Sequence, residues 1–263
     1  MSFSNKIVWL TGASSGIGKA LAIELSRKNA KLILSSRNKK ALEEVAKECN
    51  STNLKIVVLD LEDYTNLAAK VIEAVACFGK IDILINNGGI SQRSLAKDTE
   101  ISVDKRIIDI NFLGTVALSK AILPHFINNR NGHFVVTTSI VGKIGTPLRS
   151  TYAASKHALH GFFDSLRAEN YQNNIAVTLI CPGFVNTNVS KNALTGNGTP
   201  QEKMDTATEN GIQPARFAKM MIKAITNKKE EVYIAGFKEK LAVFVKRFFP
   251  QILSIMIRKL SVT

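Results

Sequence analysis

Lys6-Ile7-Val8-Trp9-Leu10-Thr11-Gly12-Ala13-Ser14-Ser15-Gly16-Ile17-Gly18 is the stretch whose reading decides the fold. Residues 6–10 are an apolar run of strand length, and a helical pattern over 16–29 follows at once. Gly12 can take the sharp turn at the strand end, Gly16 lets the backbone approach a pyrophosphate, and Gly18 permits close helix–strand packing. With Ser14, Ser15 and Ile17 between them, these glycines lead to a helix start whose free N–H groups and positive dipole end favour an anion. A glycine-rich turn with a serine cap is the plain alternative. The readable strand before it and helix after it are what the phosphate-binding motif requires.

Outward from this turn, the pattern repeats. Strands are expected at 6–10, 31–36, 54–59, 81–85, 133–138, 175–181 and 231–234, and helices at 16–29, 39–49, 66–78, 103–128, 152–172 and 214–227. The strands are rich in Ile, Val and Leu, as strands buried on both faces are. Such alternation predicts an α/β fold: a doubly wound parallel sheet of about seven strands with helices on both faces. The rhythm breaks at 184–211, a long polar loop of the kind that carries function, and at 237–263, a basic aromatic tail. We therefore expect one domain over 1–236 and an amphipathic extension over 237–263.

Composition narrows the function classes. The 263 residues are 45% hydrophobic and 21% charged, which excludes wholesale disorder and a collagen-like rod. No apolar run approaches the ~20 residues of a bilayer span, so a membrane-spanning protein is not expected. The net charge of +14 allows an anionic surface, a polyanionic small molecule or a nucleic acid as partner, or is only a basic tail. No nucleic-acid recognition motif accompanies it, so no nucleic-acid partner is expected. Cys49, Cys77 and Cys181 are odd in number and widely spaced, which favours a reducing compartment and argues against a zinc site. The chain enters its first strand almost immediately, so no cleaved leader and a cytoplasmic location are expected.

The spacing Gly-x-x-x-Gly-x-Gly, preceded by Thr11, resembles the fingerprint of the short-chain dehydrogenase/reductase family, and the resemblance runs from about Lys6 to the tail. Residues 152–169, 182–194 and 241–257 look like its member-7 branch, whose members are generally membrane-associated and act on lipid-like carbonyls. The resemblance implies a Rossmann-type sheet and a nicotinamide dinucleotide. The second strand ends Leu34-Ser35-Ser36-Arg37, with no carboxylate at its tip. A carboxylate there would bind the ribose hydroxyls of NAD and repel a 2′-phosphate. Arg37 can instead fork onto that phosphate and Ser36 can donate to it, which favours NADP(H) over NAD(H). Arg37 could equally be a solvated residue opening the next helix. Asp60, followed by Leu61, resembles the family Asp that accepts from the adenine amino group, and it could also cap the next helix. Asn86-Asn87-Gly88-Gly89 matches the family's Asn-Asn-Ala-Gly, with Gly88 in place of Ala.

Ser139 ends the fifth expected strand, and Tyr152 and Lys156 follow at i and i+4 on one helical face. A phenol titrates near pH 10, too high for efficient proton transfer at neutral pH, and a neighbouring ammonium lowers it. The resemblance assigns Tyr152 as proton donor, Ser139 as the hydroxyl that orients the same carbonyl oxygen, and Lys156 as ligand of the nicotinamide ribose. It assigns Asn111 as the residue that kinks its helix and holds a water linking Lys156 to solvent. Pro182, Gly183, Val185 and Thr187 would meet the nicotinamide carboxamide. These roles imply hydride transfer between NADP(H) and a small-molecule carbonyl or secondary alcohol; an NADP(H)-sensing regulator on the same fold is the alternative. Specificity would lie in 91–95, 142–149 and 184–211. The family commonly pairs the helices 103–128 and 152–172 into a homodimer or homotetramer.

The tail carries Lys238, Lys240, Lys246, Arg247, Arg258 and Lys259 against Glu239, with Phe237, Leu241, Phe244, Val245 and Phe248 on one helical face. Pro250 should interrupt the helix before a second apolar patch at 252–257. Three readings stay open: a lid over the substrate mouth, packing against the domain or a partner subunit, and peripheral contact with a membrane surface.

Overall fold

The computed structural model describes residues 2–49 and 51–258. Seven strands, β1 (Ile7–Thr11), β2 (Lys31–Ser35), β3 (Leu54–Ile56), β4 (Ile83–Asn86), β5 (Gly132–Thr137), β6 (Ile175–Pro182) and β7 (Glu231–Ile234), form one sheet in the order β3-β2-β1-β4-β5-β6-β7. Every pairing is parallel. Between and after the strands lie α1 (Gly16–Ser26), α2 (Lys39–Cys49), α3 (Leu67–Ala76), α4 (Ile101–Ile108), α5 (Gly114–Asn128), α6 (Ser150–Glu169), α7 (Thr206–Glu209), α8 (Pro214–Thr226), α9 (Phe237–Phe248) and α10 (Pro250–Ile257).

The two-residue period of β1 sorts the core into layers. Val8 and Leu10 face a cluster built with Leu21 and Leu25 of α1, Leu42 of α2 and Phe217 and Met221 of α8. Ile7 and Trp9 face the other, built with Val71 of α3, Ile122 and Phe126 of α5 and Phe163 of α6. Order reverses between β1 and β4, and in such sheets ligands sit beyond the strand C-termini at that switch point. The predicted residues at Gly12, Asn87, Ser139 and Pro182 end or follow strands on that edge.

Three expectations change. The third strand is regular only to Ile56, although Val57 and Leu59 still donate to the carbonyls of Leu34 and Ser36. The helix expected at 103–128 is two α-helices joined by a π-helical turn, Asp109–Leu113. Within 101–128 an 18-residue window has a mean hydropathy of 1.4, so this helix is long and apolar enough to span a bilayer, contrary to the sequence-based exclusion. Half of that window is buried, however, with Leu118, Ile122 and Phe126 in the core, as in a central helix of a folded domain.

The tail folds back onto the molecule. Leu253 is buried with Ile140, Ile144, Cys181 and Ala235, and Ala242, Val243, Val245 and Ile257 pack around them. Val245 thus leaves the face expected for it, because one residue of helix turns a side chain by about 100° from Phe244. Phe249 separates the two helices and Pro250 starts the second at a position that needs no N–H. Lys259 lies outside the described residues.

Candidate active site

The glycine turn is built by close approach. Gly12 and Gly16 have φ of +63° and +53°, a region that favours glycine. A Cβ on Gly18 would stand 2.0 Å from the Gly12 carbonyl oxygen, so only glycine lets α1 start against the end of β1. Thr11 holds the turn against β4: its Oγ1 accepts from the N–H groups of Asn87 and Gly88, both at 3.0 Å. Asn87 returns the contact, its Nδ2 donating to the carbonyls of Thr11 and Gly12 at 3.3 Å. Ser15 is the N-cap of α1 and its side chain makes no capping bond. The first turn of α1 carries no acidic residue. A Cβ on Gly16 would lie 3.1 Å from Thr187 Cγ2, so the turn and the segment after β6 meet across a narrow gap. This cradle fits the pyrophosphate and nicotinamide ends of a dinucleotide.

On the β2 side of the turn, Ala13 N–H donates to the Ser35 carbonyl at 3.1 Å, which seats the tip of β2 beside it. Arg37 is exposed there, and Ser36 Oγ donates to the Asn38 carbonyl at 3.3 Å. Asp60 does not cap a helix: the next helical turn starts at Tyr64 with Asp63 as N-cap. Asp60 Oδ1 instead accepts from Glu62 N–H at 3.0 Å. Leu61 explains Gly88, because a Cβ there would stand 2.8 Å from Leu61 Cδ1. The space of the family's Ala methyl is filled by the leucine.

Ser139, Tyr152 and Lys156 converge past the end of β5. The Ser139 side chain reaches the Tyr152 phenol and acts to lower its titration. Lys156 Nζ lies 5.8 Å from the centre of the Tyr152 ring and donates to the Thr137 carbonyl at 2.9 Å. Burial lowers the Lys156 ammonium to about 8. Burial also raises the Tyr152 phenol above its ordinary value, while Ser139, Arg149 and Arg93 pull it back down. Asn111 sits in the π-helical turn with a fully buried side chain. Its Oδ1 accepts from Ile90 N–H at 2.8 Å, and its Nδ2 donates to the Ile90 carbonyl at 2.9 Å and to Ser155 Oγ at 3.2 Å. Asn111 therefore pins the segment after β4 to α6 from within the π-helical turn.

After β6, Gly183 N–H donates to the Ile234 carbonyl at 3.0 Å. Val185 pairs with Ile212 in a parallel bridge. The bridge bonds run from Ile212 N–H to the Phe184 carbonyl and from Asn186 N–H to the Ile212 carbonyl, so Val185's own N–H and carbonyl point the other way.

Sequence reading missed four residues of this region. Gln92, fully buried, accepts through Oε1 from the N–H groups of Thr151 and Tyr152 at 3.0 and 3.2 Å. Arg93 donates through Nε and Nη2 to Asp205 Oδ2 at 2.8 and 2.5 Å, and Arg149 reaches the same oxygen at 3.4 Å. Burial pushes Arg149 down to about 10, with Arg93 adding to the effect and Asp205 opposing it. The segments 91–95, 142–149 and 184–211 were marked as variable specificity regions, but no local signal pairs residues 112 apart.

Comparison with known proteins matches residues 6–198 to the short chain dehydrogenase model. The chain belongs to the short chain dehydrogenase family. Within it the chain falls in the member-7 branch. Dehydrogenase/reductase SDR family member 7B of Mus musculus is 42% identical over 252 residues, covering 94% of this chain and 78% of that protein. Dehydrogenase/reductase SDR family protein 7-like of Anopheles gambiae is 42% identical over 256 residues, covering 95% and 81%. A short chain dehydrogenase/reductase from Burkholderia phymatum, solved in complex with NAD, superposes with a TM-score of 0.84 at 21% identity over 96% of both chains. Levodione reductase gives 0.82 at 22% identity over 90% of this chain and 99% of its own. These two likenesses speak to the fold alone. The family makes the protein a nicotinamide-dependent oxidoreductase on the expected Rossmann-type sheet.

Proposed function

We propose that the protein interconverts a carbonyl and a secondary alcohol on a lipophilic substrate, with NADP(H) as the preferred cofactor. The observation that carries this reading is the Ser139–Tyr152 hydroxyl pair with the Lys156 ammonium beside the phenol ring, next to the glycine cradle. A bound nicotinamide dinucleotide supplies the hydride. Gly12, Ser14, Ser15, Gly16, Ile17 and Gly18 hold its pyrophosphate, Ser36 and Arg37 its 2′-phosphate, Asp60, Leu61, Asn87 and Gly88 its adenosine side, and Pro182, Gly183, Val185 and Thr187 its carboxamide.

During reduction, Tyr152 donates its phenolic proton to the substrate oxygen, and Ser139 donates a hydrogen bond to the same oxygen. Lys156 stabilises the resulting phenolate and binds ribose hydroxyls. The test is a panel of ketones and secondary alcohols followed by NADPH and NADH absorbance. Turnover that prefers NADPH is expected. A folded protein that binds NADPH and turns over no compound in either direction would be a sensor of the cofactor and would overturn the reading.

A second feature favours a lipophilic substrate and a bilayer as its source. Phe237, Leu241, Phe244, Phe248, Phe249, Ile252, Ile255 and Met256 are all exposed on the tail, a patch larger than isolated surface apolar residues account for. Lys238, Lys240, Lys246, Arg247 and Arg258 lie among them, which suits an anionic interface. The other side of the tail packs on Ile140 and Ile144, just after Ser139, so a docked tail would bring the substrate mouth toward the lipid. In this reading 1–236 carries binding and catalysis, 237–263 is the docking extension, and the protein is cytoplasmic and peripheral, as a homodimer or homotetramer. Phe244→Ser with Phe248→Ser should abolish cosedimentation with anionic vesicles and leave NADPH affinity unchanged. Equal binding of wild type and variant, or none by either, refutes docking through this face.

A further inference from the structure

The substrate loop and the catalytic helix share one buried support. Asp205 lies in the polar segment between β6 and α8, at the start of α7. Its side chain is 3% exposed and those of Arg93 and Arg149 are 5% exposed. Arg93 is bound on every side: its fork grips Asp205, and its Nη1 donates to Ser91 Oγ at 2.9 Å and to the Gln92 carbonyl at 2.6 Å. Asp205 is held from its own loop as well, since Oδ1 accepts from Gln201 Nε2 at 3.1 Å and its N–H donates to Ser190 Oγ at 3.3 Å. The main chain repeats the link, with Arg93 N–H donating to the Leu194 carbonyl at 2.8 Å and Leu194 N–H to the Ser91 carbonyl at 2.9 Å.

Two connections run from this support to Tyr152. The first is Gln92, next to Arg93 in the chain, whose side-chain oxygen receives the N–H groups of Thr151 and Tyr152. Those groups belong to the first turn of α6, which has no partner inside the helix. The second is Arg149, the N-cap of α6, three residues before Tyr152 and bonded to the same Asp205 oxygen. Ser94 and Arg149 are further joined as a parallel bridge.

We propose that Asp205 is a positioning residue of the active site: by clamping Arg93 and Arg149 it fastens the substrate loop to the head of α6, so that loop closure and the placement of Tyr152 are a single event. The bonding explains why two arginines are buried beside one carboxylate. Burial works against the Asp205 charge, yet the hydrogen bonds from Arg93 and Gln201 and the two guanidiniums hold its carboxyl below the usual range. The charges of the same two guanidiniums act to lower the Tyr152 phenol, so their loss would alter the proton donor's surroundings as well as the loop. The role rests on the catalytic reading above.

Hydrogen exchange on the cofactor-free protein tests the coupling without any substrate. Asp205→Asn and Arg93→Ala should each raise exchange at least tenfold both in 190–205 and at the amides of Thr151 and Tyr152, leaving α3 unchanged. The double variant should be no worse than either single one, because all three break the same device. Arg93→Lys keeps the charge and should restore most of the protection. With 2-decanone as carbonyl probe, the same order should appear in kcat, with NADPH affinity within twofold of wild type throughout. Faster exchange in the loop alone, with Thr151 and Tyr152 unmoved, would reduce Asp205 to a loop tie and overturn the proposal. Failure of 2-decanone turnover in the wild type would count against the catalytic reading and leave the exchange result to decide the coupling. If Asp205→Asn does not fold, Gln201→Ala with Arg93→Lys provides the milder pair for the same comparison.

Discussion

Replacing Lys156 by Met should stabilise the cofactor-free protein at neutral pH. The ammonium is 5% exposed and donates to the Thr137 carbonyl at 2.9 Å. Burial lowers it from 10.5 to about 8, so at pH 7 it is charged in both states and the folded chain bears the strain. A gap of about 2.5 pH units corresponds to roughly 3 kcal/mol. Leaving the Thr137 carbonyl without its donor takes back about 1–2 kcal/mol, for a net gain of about 1–2 kcal/mol. The pH dependence carries the sign. Between pH 8 and 10.5 the unfolded chain keeps a proton that the folded chain has released, so wild-type stability rises with pH through that window. Below pH 8 the full penalty applies, and above 10.5 it is gone. Urea unfolding of both proteins at pH 7, 8, 9 and 10 should therefore show Lys156→Met more stable at pH 7 and the wild type closing the gap as pH rises. Saturating NADPH should reverse the order, because the variant loses the proposed ribose contact. A variant less stable at pH 7 by a pH-independent margin would refute the reasoning.

Tyr152→Phe should abolish carbonyl turnover and leave NADPH affinity nearly intact; near-wild-type activity in the folded variant would exclude Tyr152 as proton donor. Arg37→Ala should weaken NADPH about ten- to a hundredfold and NADH little, since a charge-assisted contact contributes roughly 1.5–3 kcal/mol. Equal losses measured by fluorescence titration would show that the strand tip does not choose the cofactor. Gly18→Ala places a Cβ 2.0 Å from the Gly12 carbonyl and should cost NADPH affinity and stability together, whereas Gly145→Ala meets nothing within 4 Å and serves as control. Overpacking of this kind costs about 1–3 kcal/mol, readable in a thermal melt.

What was legible in the sequence is what local chemistry dictates. The sheet followed from apolar runs of strand length, because strands buried on both faces need no polar alternation. The glycine turn followed because its residues are contiguous and a Cβ at Gly18 has no room. Tyr152 and Lys156 followed because one turn of helix brings i and i+4 together. The π-helical turn at Asn111 was harder: an Asn in a helix marks an irregularity, but its two bonds to Ile90 decide the form. Asp60 was open between two roles, and the position of Asp63 removed the helix cap. The tail's periodicity was visible, and what split its apolar residues into two faces was the presence of Ile140, Ile144 and Cys181 underneath.

The segment 184–211 shows why the rest was illegible. Its Asn, Thr and Gln content reads as a solvated loop, yet those side chains are what order it. Thr195 Oγ1 donates to the Thr199 carbonyl at 3.0 Å, Asn186 Nδ2 to the Glu209 carbonyl at 2.7 Å, and Gln201 Nε2 to the Ser190 carbonyl at 2.6 Å. Short polar side chains bonding nearby backbone give a segment shape without an apolar face, so no hydrophobic period announces it. The ionic element that helps tie this self-bonded segment to α6 lies in three separate stretches of chain, at 93, 149 and 205. A loop organised this way can exchange its exposed residues while Asp205, Gln201 and Ser190 keep it attached to the head of α6.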